Sequence, residues 1–285
     1  MSERFIAGLV QMTSGTEVAD NVRQATALIR EAAAKGAQLI VTPENTTQIE
    51  PDKARVLAEA KSEAEHAAVP AFSDLARELK RWLLIGSLTI KQSESKCWNR
   101  SYLFQPDGGI AARYDKIHMF DVEIGDGQSY RESKSFEPGR RSVLAELPWG
   151  RLGLTICYDI RFPQLYRTLA KAGAAFIAAP AAFTEVTGRA HWHVLQRARA
   201  IECGSYILSA AQCGTHARGR RTYGHSLVVA PWGEVLAEAA EEPGVITAEI
   251  DLAAVTAARH RVPQLTHDRP FDAPVIDNAL KLAGE

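Results

Sequence analysis

Residues 151–167 read RLGLTICYDIRFPQLYR, and the periodicity of the stretch changes halfway along it. Leu152, Leu154 and Ile156 alternate with Gly153 and Thr155, the period of a strand. Pro163 suits the first turn of a helix, where its missing N–H would have no partner anyway. Leu165, Leu169 and Ala172 then share one helical face, and Gly173 ends it. Cys157 therefore falls at a tight junction between a strand and a helix. Free backbone N–H groups and a helix dipole at such a junction favour thiolate, which would bring the ordinary thiol pKa of about 8.5 toward neutrality. The same residue also reads as a small buried core thiol.

Outward from this unit, strands are expected at Phe5–Met12, Gln38–Thr42, Trp82–Ile90, Trp98–Gln105 and Ile110–Tyr114. Further strands are expected at Ser142–Glu146, Ala174–Ala179, Ser205–Ala210, Leu227–Ala230, Val235–Glu238 and Val245–Ile250. Helices are expected at Asn21–Lys35, twice within Asp52–Arg81 with a break around Val69-Pro70, at Arg189–Glu202 and at Leu252–His260. The Arg189–Glu202 helix should pack through Trp192, Leu195, Ala198 and Ile201. Phe120–Pro138 has no clear period and lies between core strands, so it reads as a long functional loop. Strands alternate with helices early and then run in pairs. That order predicts an α/β sandwich of sheets covered by helices rather than a regular eightfold barrel. No repeat or shift of composition marks a second domain. One domain over residues 1–263 is expected, with a polar, turn-rich tail at 264–285.

With 285 residues, 46% hydrophobic and 24% charged, the chain is long enough for one large core. Its net charge of −1 gives no reason to expect nucleic acid or an anionic membrane as a partner. The four cysteines form no CxxC pair, so neither a zinc knuckle nor a redox dithiol is expected, and a reduced, cytoplasmic protein is the simplest reading. The N-terminus lacks a signal-peptide pattern, and the apolar run 173–183 is too short to span a membrane.

Glu44, Lys116 and Cys157 each lie just beyond the C-terminal end of an expected strand, the edge where α/β folds gather ligands. A thiol there can act as nucleophile, and a carboxylate can take and return its proton. An ammonium, with a backbone N–H after Cys157, can stabilise the oxyanion. VTPEN around Glu44, RYDKIHMFD around Lys116 and GLTICYDIRFPQLYR around Cys157 resemble the three signature stretches of the nitrilase superfamily. NRSYLFQPDG, ESKSFEPG, AHWHVLQRARAIECGSYILSAAQCG and YGHSLVVAPWGEV extend the likeness from Phe5 to about Pro263.

The resemblance implies a four-layer αββα sandwich, usually paired as a homodimer with the C-terminal tail at the interface, and no metal or organic cofactor. It implies Cys157 as nucleophile, Glu44 as general base and acid, and Lys116 at the oxyanion. The second active-site glutamate matches Glu132, with Glu137 as the alternative. Within the superfamily the chain looks most similar to amidases of deaminated glutathione, with omega-amidases on 2-oxoglutaramate or another small aliphatic amide next; a catalytically silent dimeric binding protein is the reading from another class. Arg161 matches a substrate-carboxylate position, and Phe183, Thr187 and Tyr158 match the pocket. On residue type alone, Arg161 could instead pair with Asp159, Phe183 could be core, and Thr187 could cap a helix ahead of Gly188. His118 is a rival base for a Cys–His hydrolase. His191-x-His193 imitates a metal pair, but an i, i+2 spacing on a helix turns the rings apart. Arg218, Arg220 and Arg221 read as a solvated loop or as a contact to the terminal carboxylate of a peptide-like substrate.

Overall fold

The structure is a computed structural model that describes residues 4–125, 127 and 129–274. The first half of the chain runs β1 (Arg4–Gln11), α1 (Val18–Ala34), β2 (Leu39–Val41), α2 (Lys53–Glu59), α3 (Ala68–Leu79), β3 (Trp82–Lys91), β4 (Cys97–Phe104) and β5 (Ile110–Asp115). Two short strands, β6 (Asp121–Val122) and β7 (Tyr130–Arg131), and a 3-10 turn at Glu132–Lys134 follow. The chain continues with β8 (Val143–Leu147), β9 (Gly150–Leu154), α4 (Pro163–Lys171), β10 (Ala174–Ala178), α5 (Glu185–Cys203) and β11 (Tyr206–Ser209). It ends with β12 (Cys213–Thr215), β13 (Arg221–Tyr223), β14 (Leu227–Val229), β15 (Val235–Glu238), β16 (Gly244–Asp251) and α6 (Leu252–Arg261).

Two six-stranded sheets result, ordered β16-β1-β2-β3-β4-β5 and β15-β14-β11-β10-β9-β8. Each has three parallel strands at its centre, β1-β2-β3 and β9-β10-β11, flanked by antiparallel ones. Both faces of each sheet are covered, which is why the central strands are mostly apolar. In β1, Phe5, Ala7 and Leu9 pack toward the second sheet, while Val10 packs under α1 and α3 with Ala25, Ile29 and Phe72. The period of two repeats in β2, where Leu39 and Val41 face one way and Ile40 the other, and in β4, where Leu103 opposes Tyr102 and Phe104. Helices α4 and α5 cover the outer face of the second sheet. The architecture is the expected sandwich, helix–sheet–sheet–helix.

Several local expectations need correcting. The break between α2 and α3 lies at residues 60–67, and Pro70 sits in the first turn of α3, where no helical N–H is lost. Helix α5 begins at Glu185, so Thr184 is its N-cap residue and Thr187 lies inside the first turn. Ile201 is 47% exposed, and Gln196 and Arg199 are buried instead. Gln196 Oε1 accepts a hydrogen bond from Ser209 Oγ at 2.7 Å, although its Nε2 has no partner among the described residues, and Arg199 Nε donates to the Ile160 carbonyl at 2.8 Å. Residues 120–138 contain the β6–β7 pair rather than plain loop. The start of the tail is tied to α4 by Asp268 with Arg167 and Lys171. The expected interfacial role of the tail falls partly on residues 275–285, outside the described residues.

Candidate active site

The loop after β2 brings Glu44 to the sheet edge in a tight turn. Asn45 adopts φ 57°, and Thr46 Oγ1 donates to the Pro43 carbonyl at 2.7 Å. A Cβ on Gly86 would lie 2.2 Å from the Thr42 carbonyl oxygen, so only glycine lets β3 pass this close. From the other sheet, Gln212 Nε2 donates to the carbonyls of Glu44 (3.0 Å) and Asn45 (3.2 Å). The backbone N–H of Ala182 donates to Glu44 Oε2 at 2.8 Å.

Lys116 follows β5 and is 2% exposed. Its Nζ lies 2.9 Å from Glu44 Oε1 and 2.8 Å from Glu132 Oε2. Asn99 Nδ2, on β4, donates to Glu44 Oε1 (3.0 Å) and Glu132 Oε1 (3.1 Å), and the Phe120 N–H donates to Glu132 Oε2 at 2.7 Å. Glu137 touches Cys97 through its backbone and stays out of the cavity.

Cys157 stands where β9 has ended and a 3-10 turn, Cys157–Arg161, leads to α4. Its φ of 47° is a left-handed value that a non-glycine residue adopts at a cost of about 1–3 kcal/mol, a strain that clusters at functional sites. Asp159, fully buried, holds the turn. It accepts from the Ile156 N–H (2.9 Å), the Tyr114 hydroxyl (2.7 Å) and the His118 N–H (3.1 Å). Arg161 therefore does not pair with Asp159.

The electrostatics reverse one sequence expectation. Burial and the neighbouring Glu44 carboxylate push the Cys157 thiol well above its ordinary range, outweighing Lys116 and the Ala182 N–H. Burial opposes charge on Glu44 too, yet Lys116 and the thiol hydrogen bond hold its carboxyl below the usual range. Burial likewise opposes charge on Lys116, but Glu132 and Glu44 raise it. Two carboxylates thus face one ammonium and one neutral thiol. In this arrangement a thiol nucleophile would be activated by the adjacent carboxylate, not by an intrinsically low pKa.

These groups form the floor of a cavity of about 190 Å³. Phe120, Tyr130, Tyr158 and Phe183 wall it, Thr187 adds a hydroxyl, and Lys53, Arg131 and Arg220 stand around it. Phe183 and Thr187 are buried, and Thr187 Oγ1 is 2.7 Å from Thr184 Oγ1. Arg161 lies one layer out, its guanidinium 5.2 Å over the Phe183 ring and 5.9 Å over Tyr158. His118 stacks on Phe162 at 3.5 Å and bonds Asp159, away from the cavity, so it is not placed to serve as a base. Asn99 and Gln212 escaped the sequence reading: a buried amide gains its role only from partners brought together by the fold. Arg220 Nε is buried without a partner, and its Nη2 donates to the Ala182 carbonyl at 3.2 Å.

A profile of the carbon–nitrogen hydrolase family matches residues 6–260. The deaminated glutathione amidase of Yersinia enterocolitica is 40% identical over 271 residues, covering 92% of each chain. The human omega-amidase is 34% identical over 265 residues, covering 93% of this chain and 95% of its own. Among solved structures, the Caenorhabditis elegans NitFhit protein superposes with a TM-score of 0.87 at 37% identity. The match covers 93% of this chain but only 65% of that one. The chain is a member of the carbon–nitrogen hydrolase family, the nitrilase superfamily of amidases.

Proposed function

We propose that Cys157 is the nucleophile of a thiol amidase acting on a small 2-oxo dicarboxylic monoamide, with deaminated glutathione as the substrate. Glu44 takes the thiol proton as sulfur attacks the amide carbonyl. Lys116 Nζ and the Tyr158 N–H stabilise the resulting oxyanion. When the tetrahedral state collapses, the C–N bond breaks, Glu44 returns the proton to the leaving amine, and a thioester remains. Water then attacks the thioester carbonyl and gives its proton to Glu44. The second collapse frees the acid and restores the thiol. Glu132 and Asn99 hold Lys116 and Glu44 in register, so they position the reacting groups.

The observation that carries this reading is the bonded set of thiol, carboxylate, ammonium and second carboxylate on the floor of one cavity. Two guanidiniums without a carboxylate partner among the described residues support the dicarboxylic substrate. Arg161, one layer behind Phe183 and Tyr158, is assigned to the 2-oxo acid end and turns into the cavity to reach it. Arg220, which lines the cavity and has no carboxylate partner among the described residues, takes the distal carboxylate that a dipeptide leaving group carries. Homologous amidases of both names favour the same chemistry.

Release of 2-oxoglutarate from deaminated glutathione and from 2-oxoglutaramate, measured side by side, tests it. A higher kcat/KM for the former is expected, and Cys157→Ala should abolish both activities while the protein stays folded. Preference for 2-oxoglutaramate would make the chain an omega-amidase. Full activity of Cys157→Ala would end the proposed mechanism. We further propose a homodimer in a reducing, cytoplasmic compartment: Val186, Val194 and Ile201 are exposed along α5, and all four cysteines are unpaired.

A further inference from the structure

Away from the cavity floor, three side chains from separate elements converge near the surface. They are His193 in α5, His225 in the turn before β14, and Glu238 at the end of β15. His193 Nε2 lies 2.9 Å from Glu238 Oε1, and His225 Nδ1 lies 2.8 Å from the same oxygen. All three donor atoms fall within 4.8 Å of one another. The sequence pair His191-x-His193 does not form: His191 faces Arg161, and His193 finds its partners 32 and 45 residues away.

The two rings are held before any ligand arrives. The His225 backbone sits at φ 54°, and its carbonyl accepts from Trp192 Nε1 at 2.8 Å. The Tyr223 ring stacks on His225 at 4.3 Å and meets His193 edge-on at 6.0 Å. The imidazoles stand 68° apart in plane, so their nitrogens point at a common oxygen rather than stacking. Side-chain exposures of 35% for His193, 21% for His225 and 36% for Glu238 leave one side open to solvent.

We propose that His193, His225 and Glu238 bind a divalent transition metal of the zinc type, with water completing the shell. Two imidazole nitrogens and one carboxylate oxygen are a zinc donor set, whereas magnesium and calcium select oxygen ligands. Metal bonds of about 2.0–2.2 Å require nitrogen–oxygen separations slightly wider than the 2.9 and 2.8 Å here, a change that side-chain rotation supplies. The ion takes the place of the protons that His193 Nε2 and His225 Nδ1 donate to Glu238, and each bound ring carries its proton on the other nitrogen. The ion would pin α5 to β14 and β15. A Cβ on Gly188 would lie 2.3 Å from Tyr223, so the same aromatic that braces the histidines packs on the helical turn carrying Thr187.

The test is titration of the full-length Cys157→Ser protein with zinc, followed by calorimetry and by competition with a chromophoric chelator. The serine removes the competing active-site thiol. One equivalent per chain is expected, with a rise in Tm of roughly 5 °C at saturation. His193→Gln and Glu238→Gln should each weaken binding by at least about tenfold. His225→Asn, which tolerates the left-handed backbone, should do the same. In the otherwise native chain, His193→Gln should leave amidase activity unchanged. Absence of stoichiometric binding, or binding equal in all these variants, would overturn the proposal and leave a hydrogen-bonded His–Glu–His cluster.

Discussion

At Cys157, geometry and electrostatics oppose each other in a useful way. The left-handed turn presents the sulfur to the cavity, while the buried Glu44 keeps its proton on until a carbonyl arrives. The pH dependence follows from the directions of the shifts. Glu44 is held below the ordinary carboxyl range, so the carboxylate needed to accept a proton persists into acid. Lys116 and Cys157 are both raised, so the ammonium and the thiol persist into base. The profile of log kcat/KM should therefore be flat from about pH 5 to about pH 9. A limb near pH 6.5 would instead put a histidine in the base role. Cys157, Glu44 and Lys116 were legible in the sequence because each follows a strand directly. The pKa of Cys157 was not, since it depends on burial and on a carboxylate more than a hundred residues earlier.

Elements matter here mainly by how closely they approach. Strand β3 passes under the Glu44 turn only because residue 86 has no side chain. Gly86→Ala should cost roughly 2–4 kcal/mol of stability. It should also lower kcat more than it raises KM, because the displaced turn carries Glu44, the proposed base, at the cavity floor. Denaturant unfolding with steady-state kinetics checks both. Helix α5 shows where pattern reading fails. Its apolar residues suggested a face through Ile201, but Gln196 and Arg199 took the inner positions, where Ser209 bonds the Gln196 Oε1 and the Ile160 carbonyl bonds Arg199. Binary patterning assigns polarity to residues, whereas the fold assigns it to pairs. Pro70 taught the same lesson for boundaries, since a proline in a first turn begins a helix as readily as it ends one.

For the molecule as a whole, the strand order was the least legible part, because β16 returns from the far end of the chain to pair with β1 over eight residues. The seam between the two sheets is polar at the site end. Gln212 crosses it, as does His216, whose Nδ1 donates to the Ser14 carbonyl (2.9 Å) while Nε2 accepts from the Thr222 hydroxyl (2.7 Å). Burial lowers His216 to about 4, so it stays neutral in the folded protein. Between pH 6.5 and 4 the unfolded chain binds a proton there that the native protein does not, so stability falls as pH drops through this window. The loss approaches about 3 kcal/mol. His216→Gln should remove that part of the acid dependence, as urea midpoints at pH 7 and pH 4.5 would show. The β1–β16 pairing carries one more consequence. The chain's first half holds Glu44, Lys116 and Glu132, and its second half holds Cys157 and the strand that closes the first sheet. Cut in the exposed stretch before β8, neither fragment owns a complete reaction centre, and restored turnover on mixing reports the zipping of an eight-residue seam between them.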